Sequence, residues 1–215
     1  MRTTRVWEQA CGLHRTVVED VDFDDAADAV VVSVRPNAKA WGRCGRCARR
    51  SPRYDQGDGR RRWRALDLGT TKVFLEADAP RVRCRNHGVL VAAVPWARHD
   101  AGHTRDFDDL AAWLAVRTSK SAVCQLLRIA WRTVGSIVAR VNADVDARVD
   151  RLDGLRRIGI DEISYKRGHR YLIVVVDHDT GTLVWAGPGP QRRRPGRVLR
   201  PARPRTGRPA HPHQR

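Results

Sequence analysis

Lysine is nearly absent from this chain. Lys39, Lys72, Lys120 and Lys166 are the four lysines among 41 basic residues, so the positive charge is carried by arginine. No stretch approaches 18 uninterrupted apolar residues, which excludes a membrane-spanning helix. Residues 1–20 carry charges throughout and hold no apolar core of a secretory signal. An even set of cysteines is missing too: Cys11, Cys44, Cys47, Cys84 and Cys124 cannot all pair with one another. A secreted disulfide scaffold is therefore disfavoured, and a reducing, cytoplasmic setting with metal-bound thiolates is expected. The last residues lack acid: positions 191–215 hold nine arginines and neither aspartate nor glutamate.

What is present is charge of one sign. The 215 residues carry a formal +17 at a sequence pI of about 11.1. Such a chain favours a polyanionic partner, most simply nucleic acid. GC-rich coding accounts for part of the arginine bias.

The most specific local pattern is a pair of short motifs, Cys44-Gly45-Arg46-Cys47 and Cys84-Arg85-Asn86-His87. A two-residue gap lets both side chains of each motif reach one ion. Three thiolates and an imidazole describe a closed, structural, tetrahedral zinc site. Between the motifs, Val73, Leu75, Ala77 and Val82 alternate as in strands, and no helical period intervenes. The expected module is thus a small β zinc ribbon. It follows N-terminal strands with Val17, Val21, Phe23, Val30 to Val32 and Val34 on either side of a turn at Asp24-Asp25.

From Arg105 the period changes. Leu110, Trp113 and Leu114 recur at helical spacing, and Thr118-Ser119 offers a cap for a helix with Val123, Leu126 and Leu127. After a short link at Arg128-Ile129-Ala130, a long amphipathic helix is expected over Val134, Ile137, Val138, Val141, Val145 and Val149. Two helices joined by about three residues have helix-turn-helix spacing. On the second of them Arg132, Ser136 and Arg140 recur every fourth residue, with Thr133 adjacent. These are donors suited to a major groove. His99 and His103 are expected at the surface or in the linker, and Cys124 in the helical core.

Beyond Gly154 the period drops to two. A short strand, Arg157 to Asp161, is expected to end in a carboxylate. Tyr171 to Val176 forms an apolar strand, Asp179-Thr180-Gly181 a hairpin turn, and Thr182 to Ala186 the returning strand. Six residues of antiparallel strand at ~3.3 Å each would set Asp177 some ~20 Å from Asp161. Glu162, next in sequence, would point to the other face.

The order of these parts, with the Gly159-Ile160-Asp161-Glu162 and Val174-Val175-Val176-Asp177 strands, resembles the ISL-three family of bacterial insertion-sequence transposases. The resemblance covers roughly residues 10–190. It implies a zinc ribbon, a helix-turn-helix and the start of a catalytic domain of RNase H-like fold. It also implies that Asp161 is the first catalytic aspartate, that double-stranded DNA at the element ends is the partner, and that Mg²⁺ serves only a complete acidic site. The expected fold class is α+β multidomain. The expected divisions are residues 1–100 (N-terminal strands and ribbon), 104–150 (helix-turn-helix), 155–187 (a partial three-stranded RNase H-like sheet) and 188–215 (a disordered Arg/Pro-rich tail). A transposase that binds terminal inverted repeats is the expected function, here as a truncated, catalytically incomplete fragment with a nucleoid-associated location and room for a homo-oligomer. The alternative is a zinc-ribbon, helix-turn-helix regulator without chemistry.

Overall fold

A computed structural model describes residues 3–166 and 170–189. The chain divides into two compact units, Met1–Arg148 and Val149–Arg215.

The first unit opens with helix α1 (Thr3–Ala10), which charge patterning alone did not disclose. Its Trp7, with Cys11 and Leu13 just beyond, packs against the main core. Strands β1 (Thr16–Asp24) and β2 (Ala29–Pro36) form the expected antiparallel pair. Next come β3 (Arg53–Asp55), β4 (Arg60–Arg64), β5 (Lys72–Asp78), β6 (Arg81–Cys84) and β7 (Gly88–Val91).

The strands between the two cysteine motifs do not all stay in the ribbon. β4 and β5 join β1 and β2 in a four-stranded sheet of order β1-β2-β5-β4, with β2 and β5 parallel. The reason is apolar alternation: Val73, Leu75 and Ala77 of β5 lie on one face and are buried with Val32, Val34 and Trp63. Trp63 meets Trp96 edge-to-face at 5.5 Å, which seats the segment after β7 on the same core. The ribbon itself is the three-stranded sheet β3-β6-β7.

Helices α2 (Arg105–Arg117), α3 (Lys120–Leu127) and α4 (Trp131–Asp146) follow. Thr104 caps α2 by accepting from the Phe107 amide, and Ser119 caps α3 by accepting from the Ala122 amide. Their core is Phe107, Ala111, Val123, Leu127, Val134 and Ile137, with Leu110, Leu114, Cys124, Val138 and Val141 against it. Trp113 and Leu126, expected on the apolar stripes, are exposed instead. The helix α4 ends at Asp146, so Val149 lies outside it.

In the second unit, β8 (Ile158–Lys166), β9 (Arg170–Asp177) and β10 (Leu183–Pro188) form an antiparallel sheet of order β10-β9-β8. The strand β8 runs five residues beyond Asp161, so that aspartate is mid-strand rather than terminal. Ile158, Ile160, Ile163 and Tyr165 of β8 are exposed. Val184 is the one buried hydrophobic side chain of this sheet among the described residues. β10 continues through Gly187 and Pro188, which the sequence assigned to an aperiodic end; the rest of the expected tail, 190–215, lies outside the described residues.

Candidate metal centre and nucleic-acid interface

Two turns bring the metal quartet together. The Cys84-to-His87 motif is the turn between β6 and β7. The Cys44-to-Cys47 motif is laid beside it because Cys44 forms a backbone bridge with Ala92, just past β7. Cys44 Sγ and Cys84 Sγ each lie 3.6 Å from His87 Nδ1, and Cys47 Sγ lies 3.8 Å from Cys84 Sγ. All four ligand atoms fall within 4.8 Å of one another. Zn–S bonds of about 2.3 Å and Zn–N bonds of about 2.0–2.1 Å at tetrahedral angles require separations of about 3.8 Å (S to S) and about 3.6 Å (S to N). The quartet therefore fits one tetrahedral zinc ion with all four positions filled by protein. Backbone amides tune the thiols. The Asn86 amide, with the His87 ring and the Cys44 thiol beside it, draws Cys84 down to about 6. The Arg49 amide lowers Cys47, but burial and the Cys44 and Cys84 thiols outweigh it and push that thiol up.

Gly45 is required by this closeness. A Cβ there would meet the His99 ring and lie 2.8 Å from the Val91 carbonyl oxygen. His99, in the segment linking β7 to α2, is half-buried against the first motif.

The helical part has the geometry of a helix-turn-helix. α3 and α4 are joined by residues 128–130 and cross at 101°, within the range of helix-turn-helix pairs. The sharp turn is made by Arg128 in left-handed conformation (φ 53°). Its guanidinium is bound by Asp67, which also holds Arg64. On α4, Trp131, Arg132, Gly135 and Ser136 are exposed and Thr133 is half-buried. Ser136 Oγ donates to the Arg132 carbonyl at 3.2 Å, and Arg132 makes no ion pair among the described residues. The sequence reading missed Trp131, over whose ring Lys120 Nζ sits at 4.5 Å. An aromatic residue at the first position of α4 was the available signal.

Arg140 departs from the expectation. Its Nε and Nη2 donate to both oxygens of Asp108, at 2.9 and 3.0 Å, so it ties α4 to α2 instead of facing outward with Arg132. Asp108 is wholly buried, with Arg98 3.6 Å away and His103 Nδ1 3.9 Å away. His103, in the segment linking β7 to α2, is largely buried and stacked on Phe107 at 4.8 Å. Arg98 extends the network to Asp109 and Asp144 at 2.7 and 2.6 Å.

Asp161 stands alone. Its register partner is Val174, while Asp177 pairs with Ile158. Paired residues share a face and alternation is unbroken from 158 to 164, so Asp161 and Asp177 point to opposite faces. Their separation along the strand is three residues, about 10 Å, not the ~20 Å expected when Asp161 was placed at the strand end. The Asp177 carboxylate is committed to its own turn. It accepts from the Thr180 hydroxyl at 2.8 Å and the Asp179 amide at 2.9 Å, which hold its pKa below the usual carboxylate range. Among the described residues, the Cys/His quartet is the one group of three or more metal-binding side chains.

Comparison with known proteins follows the same order of parts. Residues 41–87 match the zinc-finger of transposases IS204/IS1001/IS1096/IS1165, residues 92–142 the helix-turn-helix domain of transposase family ISL3, and residues 158–205 the transposase (DDE) model of ISL3. Two strains of Mycobacterium tuberculosis carry a transposase for insertion sequence element IS1557 that is 62% identical over 194 residues, 88% of this chain and 44% of the relative. The transposase for IS1001 from Bordetella parapertussis is 26% identical over 195 residues, 89% of this chain and 47% of that protein. The chain thus spans somewhat under half the length of these curated relatives. No solved structure matches it. No single helix among the described residues is long and apolar enough to cross a membrane. With ribbon, helix-turn-helix and Asp161 strand in the family's order, the chain belongs to the ISL3 family of insertion-sequence transposases.

Proposed function

We propose that this chain recognises the terminal inverted repeats of its insertion sequence, as double-stranded DNA, through the exposed face of α4. Arg132, Thr133 and Ser136 are the proposed contacts, and Arg140 is assigned to the helix–helix ion pair. A structural zinc ion held by Cys44, Cys47, Cys84 and His87 stabilises the ribbon. The observation that carries this reading is the 101° crossing of α3 and α4 with an exposed arginine on α4 that has no ion-pair partner among the described residues. A DNA-binding role suits a cytoplasmic, nucleoid-associated protein and leaves room for a homo-oligomer spanning both ends of an element.

The chemical step is assigned to the sheet that holds Asp161. In DDE transposition, carboxylates hold two Mg²⁺ ions about 4 Å apart, which activate the attacking oxygen and stabilise the leaving one. Asp161 supplies one such carboxylate, and the described residues supply no second on its face. The chain's own activity is therefore read as DNA binding.

The test is binding to a duplex carrying the element's end and to a scrambled duplex of equal length. Arg132→Ala with Ser136→Ala should weaken binding to the true end by ~1–3 kcal/mol per base contact and narrow the preference over the scrambled duplex. Unchanged affinity and preference would assign recognition to another surface.

A further inference from the structure

The arginines of this chain fall into two populations. On β4, Arg60, Arg62 and Arg64 each meet a carboxylate: Glu76 at 2.7 and 2.6 Å for the first two, and Asp67 for the third. The ribbon is different. Its residues 39–54 and 79–99 contain no aspartate or glutamate, and Asp55, at the end of β3, is held by Arg81. Arg46, Arg49, Arg50, Arg83 and Arg85 are exposed there, and none has an ion-pair partner among the described residues. Neutral surface function does not require such a surface, and like charges held close repel one another.

The fold also gathers and orients these groups. Arg81 and Arg83 leave the same side of β6, opposite the buried Val82 and Cys84. Both guanidinium groups lie over the half-exposed Tyr54 ring, at 5.6 and 4.9 Å, a contact that restrains flexible side chains. Arg46 and Arg85 sit inside the two metal-binding turns, which the quartet holds within 4.8 Å. The site thus brings together two turns that are far apart in sequence, each carrying an exposed arginine.

We infer that these exposed arginines of the ribbon form a second duplex contact. It binds the phosphate backbone without reading bases, through Arg46, Arg49, Arg83 and Arg85. Arginine suits the task because its planar fork binds phosphate oxygens bidentately. Duplex DNA is the partner because the ribbon belongs to the same compact unit as α4, and the inference rests on the reading of α4 given above. The two contacts divide the labour: the ribbon positions and α4 specifies.

The experiment uses the zinc-loaded 215-residue chain and the two duplexes named above, with affinity measured across a salt series. R46Q/R49Q/R83Q/R85Q should make the slope of log K against log salt shallower by about 3 to 4, at about 0.9 per lost phosphate contact. The loss should be equal on both duplexes, leaving sequence preference intact. The matching quadruple lysine variant should keep most of the wild-type slope. A glutamine variant that binds one zinc and keeps the wild-type slope overturns the inference. The helix reading fails separately, if Arg132→Ala with Ser136→Ala leaves preference unchanged. Should the glutamine variant lose its zinc, phenylglyoxal labelling of the wild type decides. Duplex DNA should protect these four arginines several-fold, and equal labelling with and without duplex, as expected if an acidic protein were the partner, overturns the proposal.

Discussion

Arg140 donates two hydrogen bonds to Asp108, at 2.9 and 3.0 Å, and the Asp108 carboxylate is wholly buried between α2 and α4. The pair fixes which face of α4 remains exposed. Removing one partner strands a charge away from water, which costs ~3–5 kcal/mol. Arg140→Met should therefore destabilise the Met1–Arg148 unit by that order in urea unfolding. The same substitution should leave the salt slope of DNA binding unchanged under conditions where the variant is folded. A shallower slope with wild-type stability would return Arg140 to the DNA-contacting set.

His103 gives that junction a pH dependence. Burial, which penalises the charged ring, lowers its pKa; Asp108 opposes this, and Arg140 and Arg64 add to it. The ring stacks on Phe107. A histidine whose folded pKa lies below its unfolded value of about 6.5 binds its proton more readily when unfolded. Its contribution is present above pH ~6.5 and is lost as pH falls below that toward the folded pKa, with a limiting slope of ~1.4 kcal/mol per unit. His103→Phe should remove this component. The wild-type minus variant difference in unfolding free energy, followed from pH 7.5 to 5.5 (on the order of one unit either side of that pKa), should shrink or change sign in favour of the variant. A difference flat across that range would mean the imidazole is not desolvated as the structure has it.

The zinc quartet leads to a stoichiometric prediction. Purified protein should hold one zinc, and cobalt substitution should give the absorption of a tetrahedral site with three thiolates. Cys44→Ser should abolish it and unfold the ribbon, because a small sheet of this kind draws much of its stability from the metal. The α2–α4 core, a separate cluster around Phe107 and Ile137, should keep its helical signal. Gly45→Ala is the subtler probe: the new methyl group meets backbone at Val91 rather than a flexible chain end. Zinc affinity should fall although every ligand is present. Wild-type affinity in Gly45→Ala would show that the first turn sits farther from β7 than 2.8 Å allows.

Much of this architecture was legible in the chain, for reasons that differ by region. The quartet is local within each pair, so its spacing shows directly. The helix-turn-helix shows because Val134, Ile137, Val138 and Val141 repeat at helical period against a polar background. What stayed hidden is non-local. Nothing in β4 or β5 announces that they leave the ribbon to pair with β1 and β2. Asp108 reads as an ordinary acid in the first turn of a helix, and only the approach of Arg140 from α4 turns it into a buried anchor. The full length of β8 was missed because Glu162, Ser164 and Lys166 interrupt its apolar pattern. That error misplaced Asp161 along its strand; it is sheet alternation, not distance, that sets Asp177 on the opposite face.

Asp161 supplies the last prediction. Strand transfer by two metal ions needs several carboxylates converging on sites about 4 Å apart. Within the described residues Asp161 has Asp177 on the opposite face and Glu162 as a sequence neighbour pointing away, and no acidic cluster forms around it. Its own carboxylate accepts from the Glu162 amide at 2.7 Å, a contact that requires no metal. The 215-residue chain with Mg²⁺ or Mn²⁺ should therefore neither nick nor join a duplex carrying the element's end, and Asp161→Ala should leave DNA affinity unchanged, since it lies outside the Met1–Arg148 unit. Metal-dependent cleavage that Asp161→Ala abolishes would mean that further carboxylates reach this face from a second copy of the chain or from acids elsewhere in its own chain. The two sources separate on mixing Asp161→Ala with wild-type chains. Cleavage falling in proportion to the variant fraction fits a site built within one chain, and a steeper fall indicates one shared between copies.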